Sequence, residues 1–243
     1  MTNESFEAAR IAAGTARKAA KAIRSKWKHV EFSTDRDAEF GAALQDLDKA
    51  IQGLLPFASD KSAYRKDAER EIGDCHGVKG GVYRDWAKYG EAADAYDRGL
   101  PFERRFLELA GQPNSYCLVQ RLVARVLKDP VAFRQGLPIQ GADTLVPPVN
   151  VTAELEASAE EIRQQKEVLR KGDPWAQADF ALVLQLLKRD SAEAEWDKFD
   201  DMRPDRGVYE STLDVVRLLR KRLVLDAGST AGWADLESRL ASN

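Results

Sequence analysis

Apolar residues recur along the chain every three or four positions, the spacing that gathers side chains on one face of an α-helix. Phe6, Ala9, Ala13, Ala16, Ala20, Ile23 and Trp27 form the first stripe and predict a helix over 6–27. A second is predicted from Asp35 to Leu55 on Phe40, Leu44, Leu47 and Ile51, with Thr34 and Asp37 capping its start. Ala42, Ala43 and Ala50 would let a neighbouring helix approach closely, and Pro56 closes the pair. Third and fourth helices are expected over 62–86 and 90–110. A fifth begins at Pro113, a good first-turn residue, and carries Leu118, Val119, Leu122, Val123, Val126 and Leu127 on one side before Asp129-Pro130 ends it. No run alternates convincingly with period two, so strands are not expected.

Residues 129–150 break the pattern. Pro130, Gly136, Pro138, Gly141, Pro147 and Pro148 interrupt regular structure, yet Val131, Phe133, Leu137, Ile139, Leu145 and Val146 are apolar. That mixture predicts an ordered crossover packed on helices, with a short helical turn, rather than a flexible linker. Helices resume over 152–170 and 174–188, where Gly172-Asp173-Pro174 supplies a stop, an N-cap and a first-turn proline in succession. Further helices are expected from Asp190 to just before Pro204, over 207–225 and over 229–240. Short connections predict antiparallel neighbours. The chain therefore reads as all-α with about ten helices: an N-terminal helical part (1–128), the ordered crossover (129–150) and a C-terminal helical part (151–243) that continues the first.

Composition adds constraints. The chain has 243 residues, 44% hydrophobic and 32% charged, the balance of a folded soluble domain. A formal charge of −3 argues against bulk nucleic-acid binding. Two cysteines, Cys75 and Cys117, are too few for a disulfide-stapled secreted scaffold and point to a reducing cytoplasm. No apolar run approaches the ~20 residues needed to span a bilayer. The first helix carries Arg10, Arg17, Lys18, Lys21, Arg24, Lys26 and Lys28 against Glu4 and Glu7, which reads either as a solvated face or as a contact with a membrane or nucleic acid.

Helix pairs recurring at about 34 residues are the mark of tetratricopeptide arrays. With Gly73 as the first position, Gly80 falls at the small position eight and Tyr83 at the aromatic position eleven. Ala92 and Tyr96 then take the small and aromatic positions of the second helix, and Gly99 replaces the usual alanine. This repeat, 73–106, is the clearest. A degenerate one starts at Asp173, with Ala192, Trp196, Phe199 and Pro204 in register, and the N-terminal pair offers Ala43, Leu47 and Ala50 at the same spacing. The strings from Asp74 to Arg84 and from Asn114 to Val123, with Tyr89–Gly99 between them, resemble the sensor-type tetratricopeptide modules of bacterial conflict and stress systems. Those modules are related to the adaptor-binding helical domain of stress-activated kinases. The resemblance covers roughly 64–130, and more loosely 173–226. It implies an α-solenoid of antiparallel helix pairs that detects a ligand or partner and controls an effector or adaptor protein; no effector domain is evident here.

A candidate site follows from the third helix. Gly77, Gly80 and Gly81 should each cost about 1 kcal/mol relative to alanine, so something must compensate. Gly80, at position eight, packs on the partner helix. Gly77 and Gly81 fall at positions that face the concave groove in such a repeat, flanked by Asp74 and Arg84. Either a ligand or peptide lies on this bared face, or a neighbouring helix fills it. Asn114, Tyr116, Gln120 and Arg121 lie off the apolar stripe of the fifth helix and can face the same groove. Arg84 and Arg121 would suit a phosphate or carboxylate, such as that of a nucleotide, or would pair with Asp74, Asp94 or Asp97.

Catalytic readings fare worse. His29 and His76 have no metal-ligand spacing around them, and adjacent Cys75 and His76 diverge by about 100° on a helix, too far to act as a nucleophile–base pair. Residues 77–81 lack the Gly-Lys-Ser/Thr ending and preceding strand of a phosphate loop. The expectation is a non-catalytic module, without cofactor or metal, that binds a small anionic ligand or a peptide; the competing expectation is a protein scaffold with no small ligand.

Overall fold

A computed structural model describes residues 2–28, 30, 33–111, 116–223 and 231–242. Among them the regular structure is helical: α1 (Asn3–Lys26), α2 (Thr34–Leu54), α3 (Arg65–Asp85), α4 (Tyr89–Ala110), α5 (Tyr116–Lys128), α6 (Pro130–Arg134), α7 (Val151–Gln164), α8 (Pro174–Leu186), α9 (Ala192–Asp201), α10 (Arg206–Leu223) and α11 (Ala231–Ala241). A 3₁₀ turn spans Leu55–Ala58 and a π-helical turn Gln165–Leu169. No described helix is long and apolar enough to cross a membrane.

The helix starts follow local chemistry. Thr2 and Ser5 exchange hydrogen bonds as a capping box at α1. Helix α2 begins one residue earlier than its sequence predicts because Ser33, rather than Thr34, accepts the Arg36 N–H at 3.5 Å. The expected Asp37 cap serves elsewhere: its carboxylate accepts the Trp86 indole N–H at 2.6 Å. Ser62–Tyr64 form a turn, so α3 starts at Arg65. The expected start of the fifth helix, Pro113, lies outside the described residues.

The chain divides into two compact units, Met1–Arg121 with Gly141–Thr144, and Leu122–Gln140 with Leu145–Asn243. The division falls inside α5 and again on either side of Gly141–Thr144, within the 129–150 segment.

In the first unit, cross-helix contacts fix direction. Lys26 and Trp27 meet Glu39, making α1–α2 a hairpin. Lys79 pairs with Asp48 and Trp86 with Asp37, so α2 and α3 are antiparallel. Gly73 faces Phe102 and Glu103 while Gly80 faces Tyr96, so α3 and α4 are antiparallel too. Arg17 reaches Glu71 and Asp74, whereas Arg24 reaches Asp85; α1 and α3 therefore run the same way. Tyr116 against Gly77 and Gln120 against Arg84 give α5 that direction as well. The core joins α1, α2 and α3 through Phe6, Phe40, Leu47, Leu54, Ile72 and Val82, with Phe6 stacked on Tyr64 at 4.6 Å.

A loop is tied to α4. Asp94 accepts the backbone N–H groups of Ala142 and Asp143 at 3.0 and 2.6 Å. A Cβ on Gly141 would collide with the same carboxylate, and only glycine admits that approach. Asp94 is thus committed to this loop and not to an arginine.

In the second unit, Asp129 caps the short α6, and Ile139 and Val149 form one antiparallel bridge with bonds of 2.7 and 3.0 Å. Asp173 caps α8 behind Gly172 (φ 82°) as the local triplet predicts. The core centres on α8, with Phe199 edge-on to Trp196 at 5.8 Å and to Tyr209 at 5.2 Å. Arg222 donates to the Leu127 carbonyl at the end of α5, and Arg134 to that of Leu223 at the end of α10.

Candidate functional site

The glycines of α3 are occupied from three directions. A Cβ on Gly77 would lie 3.1 Å from the Tyr116 ring, one on Gly80 2.5 Å from the Tyr96 ring, and one on Gly81 2.5 Å from the Arg24 guanidinium. The helix cost of these glycines is therefore offset by close approach of an aromatic ring from α4, another from α5 and a cation from α1. The bared face is not an open trough; its gaps are filled by the Tyr116, Tyr96 and Arg24 side chains.

Those side chains converge. The Arg24 Nε donates to Asp85 Oδ2 at 2.6 Å, and the Arg84 Nε lies 3.6 Å from Asp85 Oδ1. Arg84 also donates to Gln120 Oε1 at 2.7 Å. Tyr96 and Tyr116 meet edge to face at 5.8 Å beside these groups. Burial pushes the Tyr96 phenol well up, Tyr116 adds to the shift, and the nearby Arg84 and Arg24 charges oppose it. For Arg24, burial works against the charge, but Asp85 more than restores it, so its pKa is raised. Arg84 and Gln120 lie behind, 7% and 6% exposed, while the side chains of Arg24 and Asp85 form the water-facing edge at 20% and 22%.

The residues expected from sequence do not all gather here. Gly77, Gly81, Arg84, Tyr116 and Gln120 meet. Asp74 does not: it binds Arg17 at 2.8 Å on the neighbouring stretch of α3, with burial raising its pKa against the pull of Arg17. Arg121 lies 3.6 Å from Asp97. Asn114 lies outside the described residues. Arg24 and Asp85, which face each other across two helices, were not expected. One signal was present: Arg17 and Arg24 stand seven apart and so share a face of α1, the face that meets the α3 carboxylates.

The nucleophile candidates are insulated. Burial pushes the Cys75 thiol up to about 12 and the Cys117 thiol well above its ordinary value, with Glu103 adding to the latter. Burial and then the Lys79 and Arg98 charges bring His76 down to about 4; its ring stacks on Phe102 at 5.9 Å. Among the described residues no three His, Cys, Asp or Glu side chains are grouped to hold a metal ion. Compared with known protein families, curated proteins and solved structures, the chain finds no match.

Proposed function

We propose that this chain is a non-catalytic binding module that recognises a small anionic group where α1, α3 and α5 meet, and relays occupancy to an effector or adaptor protein. The carrying observation is the meeting of Arg24, Arg84 and Gln120 over the glycine-bared stretch of α3. Guanidinium forks match phosphate and carboxylate oxygens with paired hydrogen bonds, and they strengthen as water is excluded. A tetratricopeptide reading agrees with this placement, because α1, α3 and α5 would be the first helices of successive pairs, those that line the groove in such arrays. A role in a bacterial cytoplasmic stress or conflict system is part of the same proposal and rests on the resemblance alone.

The test is isothermal titration of the chain with inorganic phosphate and with nucleotides, repeated on Arg24→Gln and Arg84→Gln. Both variants should keep the helical circular dichroism and lose at least tenfold in affinity. Unchanged affinity in both would end the anion-site reading. A scaffold reading is favoured by one observation, the exposure of Val168 (73%), Leu169 (53%) and Trp175 (41%) near the start of α8. A scaffold would retain its protein partner in a pull-down whatever anion is present; a sensor would not.

A further inference from the structure

The carboxylate of Asp85 occupies the place that an incoming anion would take. Its Oδ2 accepts the Arg24 Nε–H at 2.6 Å and its Oδ1 lies 3.6 Å from the Arg84 Nε, so one small anion bridges a guanidinium of α1 and one of α3. Asp85 is the last residue of α3. Its side chain, 22% exposed, can swing to water by rotating about its own bonds without unwinding the helix. The backbone behind it is pinned: Trp86 donates to Asp37, and the Lys88 ammonium lies 3.4 Å from the Trp86 ring centroid.

We propose that Asp85 is an internal stand-in anion, and that the ligand of this site is a phosphate monoester able to displace it. This rests on the reading of the α1–α3–α5 cluster as an anion site and adds its regulation and ligand class. A free monocarboxylate brings the same charge and the same two oxygens as Asp85. It competes against a group already tethered in place, whose effective concentration is of millimolar order or above. A phosphate monoester brings about −1.5 to −2 charge at neutral pH and three terminal oxygens, enough to engage both guanidiniums and the Gln120 amide beside them. The resident carboxylate thus keeps the two arginines paired and the helices packed when ligand is absent, and it screens out singly charged acids.

Inorganic phosphate and acetate, at matched ionic strength, are titrated into the wild-type chain, Asp85→Asn, Arg24→Gln and the double variant. The wild type should bind phosphate and not acetate, and Arg24→Gln should lose phosphate binding. Asp85→Asn should bind phosphate at least tenfold more tightly than the wild type, and the double variant should lose that gain. Equal phosphate affinity in Asp85→Asn and wild type, or a gain that survives removal of Arg24, would overturn the stand-in role. If Arg24→Gln itself binds phosphate as the wild type does, the site reading fails first. Should Asp85→Asn prove too unstable to titrate, Asp85→Ser carries the same expectation.

Discussion

Helices α3 and α8 sit at the centres of their respective units, and they are buried in opposite ways. Along α8 the enclosed residues are mainly apolar: Ala176, Ala178, Phe180, Ala181, Leu182, Val183, Leu184 and Leu186. Along α3 the enclosed residues include Glu69, Glu71, His76, Lys79 and Arg84, set among four glycines. A buried charge is costly unless paired, so α3 is tolerated only because α1, α2, α4 and α5 bring partners to it. Arg17 serves Glu71, Asp48 serves Lys79, and Arg105 serves Glu69 at 2.7 Å. The second unit also encloses a polar group, Glu195 with Lys166 and Gln177 at 2.8 Å, but its central helix is mainly apolar, whereas the first unit is held in part by polar matching along α3.

The largest effect should come from emptying the apolar centre. Phe199→Ala removes a fully buried ring from the Trp196–Tyr209 cluster and should cost about 3–5 kcal/mol, read by urea unfolding. The counterpart on α3 is an addition. Gly80→Val places atoms where the Tyr96 ring stands, and overpacking against that fixed ring should cost about 3 kcal/mol or more by the same measurement.

Acid should separate the units next. His76 is neutral in the fold, with its pKa brought from 6.5 to about 4 by burial and by Lys79 and Arg98. The unfolded chain takes up that proton first, so the contribution is complete above about pH 6.5 and is lost as the pH falls toward 4. The loss should reach about 3 kcal/mol and disappear in His76→Gln, as followed by melting temperature against pH.

A smaller break is expected at the loop. Asp94→Ala leaves the Ala142 and Asp143 N–H groups without their acceptor, which should cost about 1–3 kcal/mol and expose 129–150 to limited proteolysis. The smallest change should be a gain. Ala87, the residue after the Trp86 cap of α3, lies in the left-handed region at φ 60°, so Ala87→Gly should add about 0.5–1 kcal/mol to the unfolding free energy.

The difference between the two helices also explains what the sequence could reveal. Helix periodicity is local, and it marked the helices in both units within a few residues. The Gly172-Asp173-Pro174 start of α8 is local too, and it forms as read. The π-helical turn over Gln165–Leu169 lies inside what the sequence reads as one helix over 152–170; it shifts the register, and Val168 and Leu169 on it are exposed. On α3 the glycines announced a close approach but not by what. Tyr96 lies sixteen residues from Gly80, within the repeat, and the partner-helix contact of Gly80 was legible. Arg24 lies sixty-one residues from Asp85, a pairing that only the parallel alignment of α1 and α3 creates. Asp74 and Arg84 flank the glycines from opposite ends, about 15 Å apart along the axis, and at its end Asp74 meets Arg17, a partner on α1 that α3 by itself does not announce.

The most direct test of the anion site watches the two guanidiniums themselves. In a nitrogen-15-labelled sample, the arginine Nε–Hε resonances are followed while inorganic phosphate is added at constant ionic strength. The resonances of Arg24 and Arg84 should shift together and saturate with one dissociation constant, while that of Arg163, an exposed residue paired with Glu160 and Glu167 on α7 and its π-helical turn, should stay still. If Arg24 and Arg84 do not move, or only drift in step with Arg163, the cluster is a structural ion-pair network and the anion is bound elsewhere or not at all.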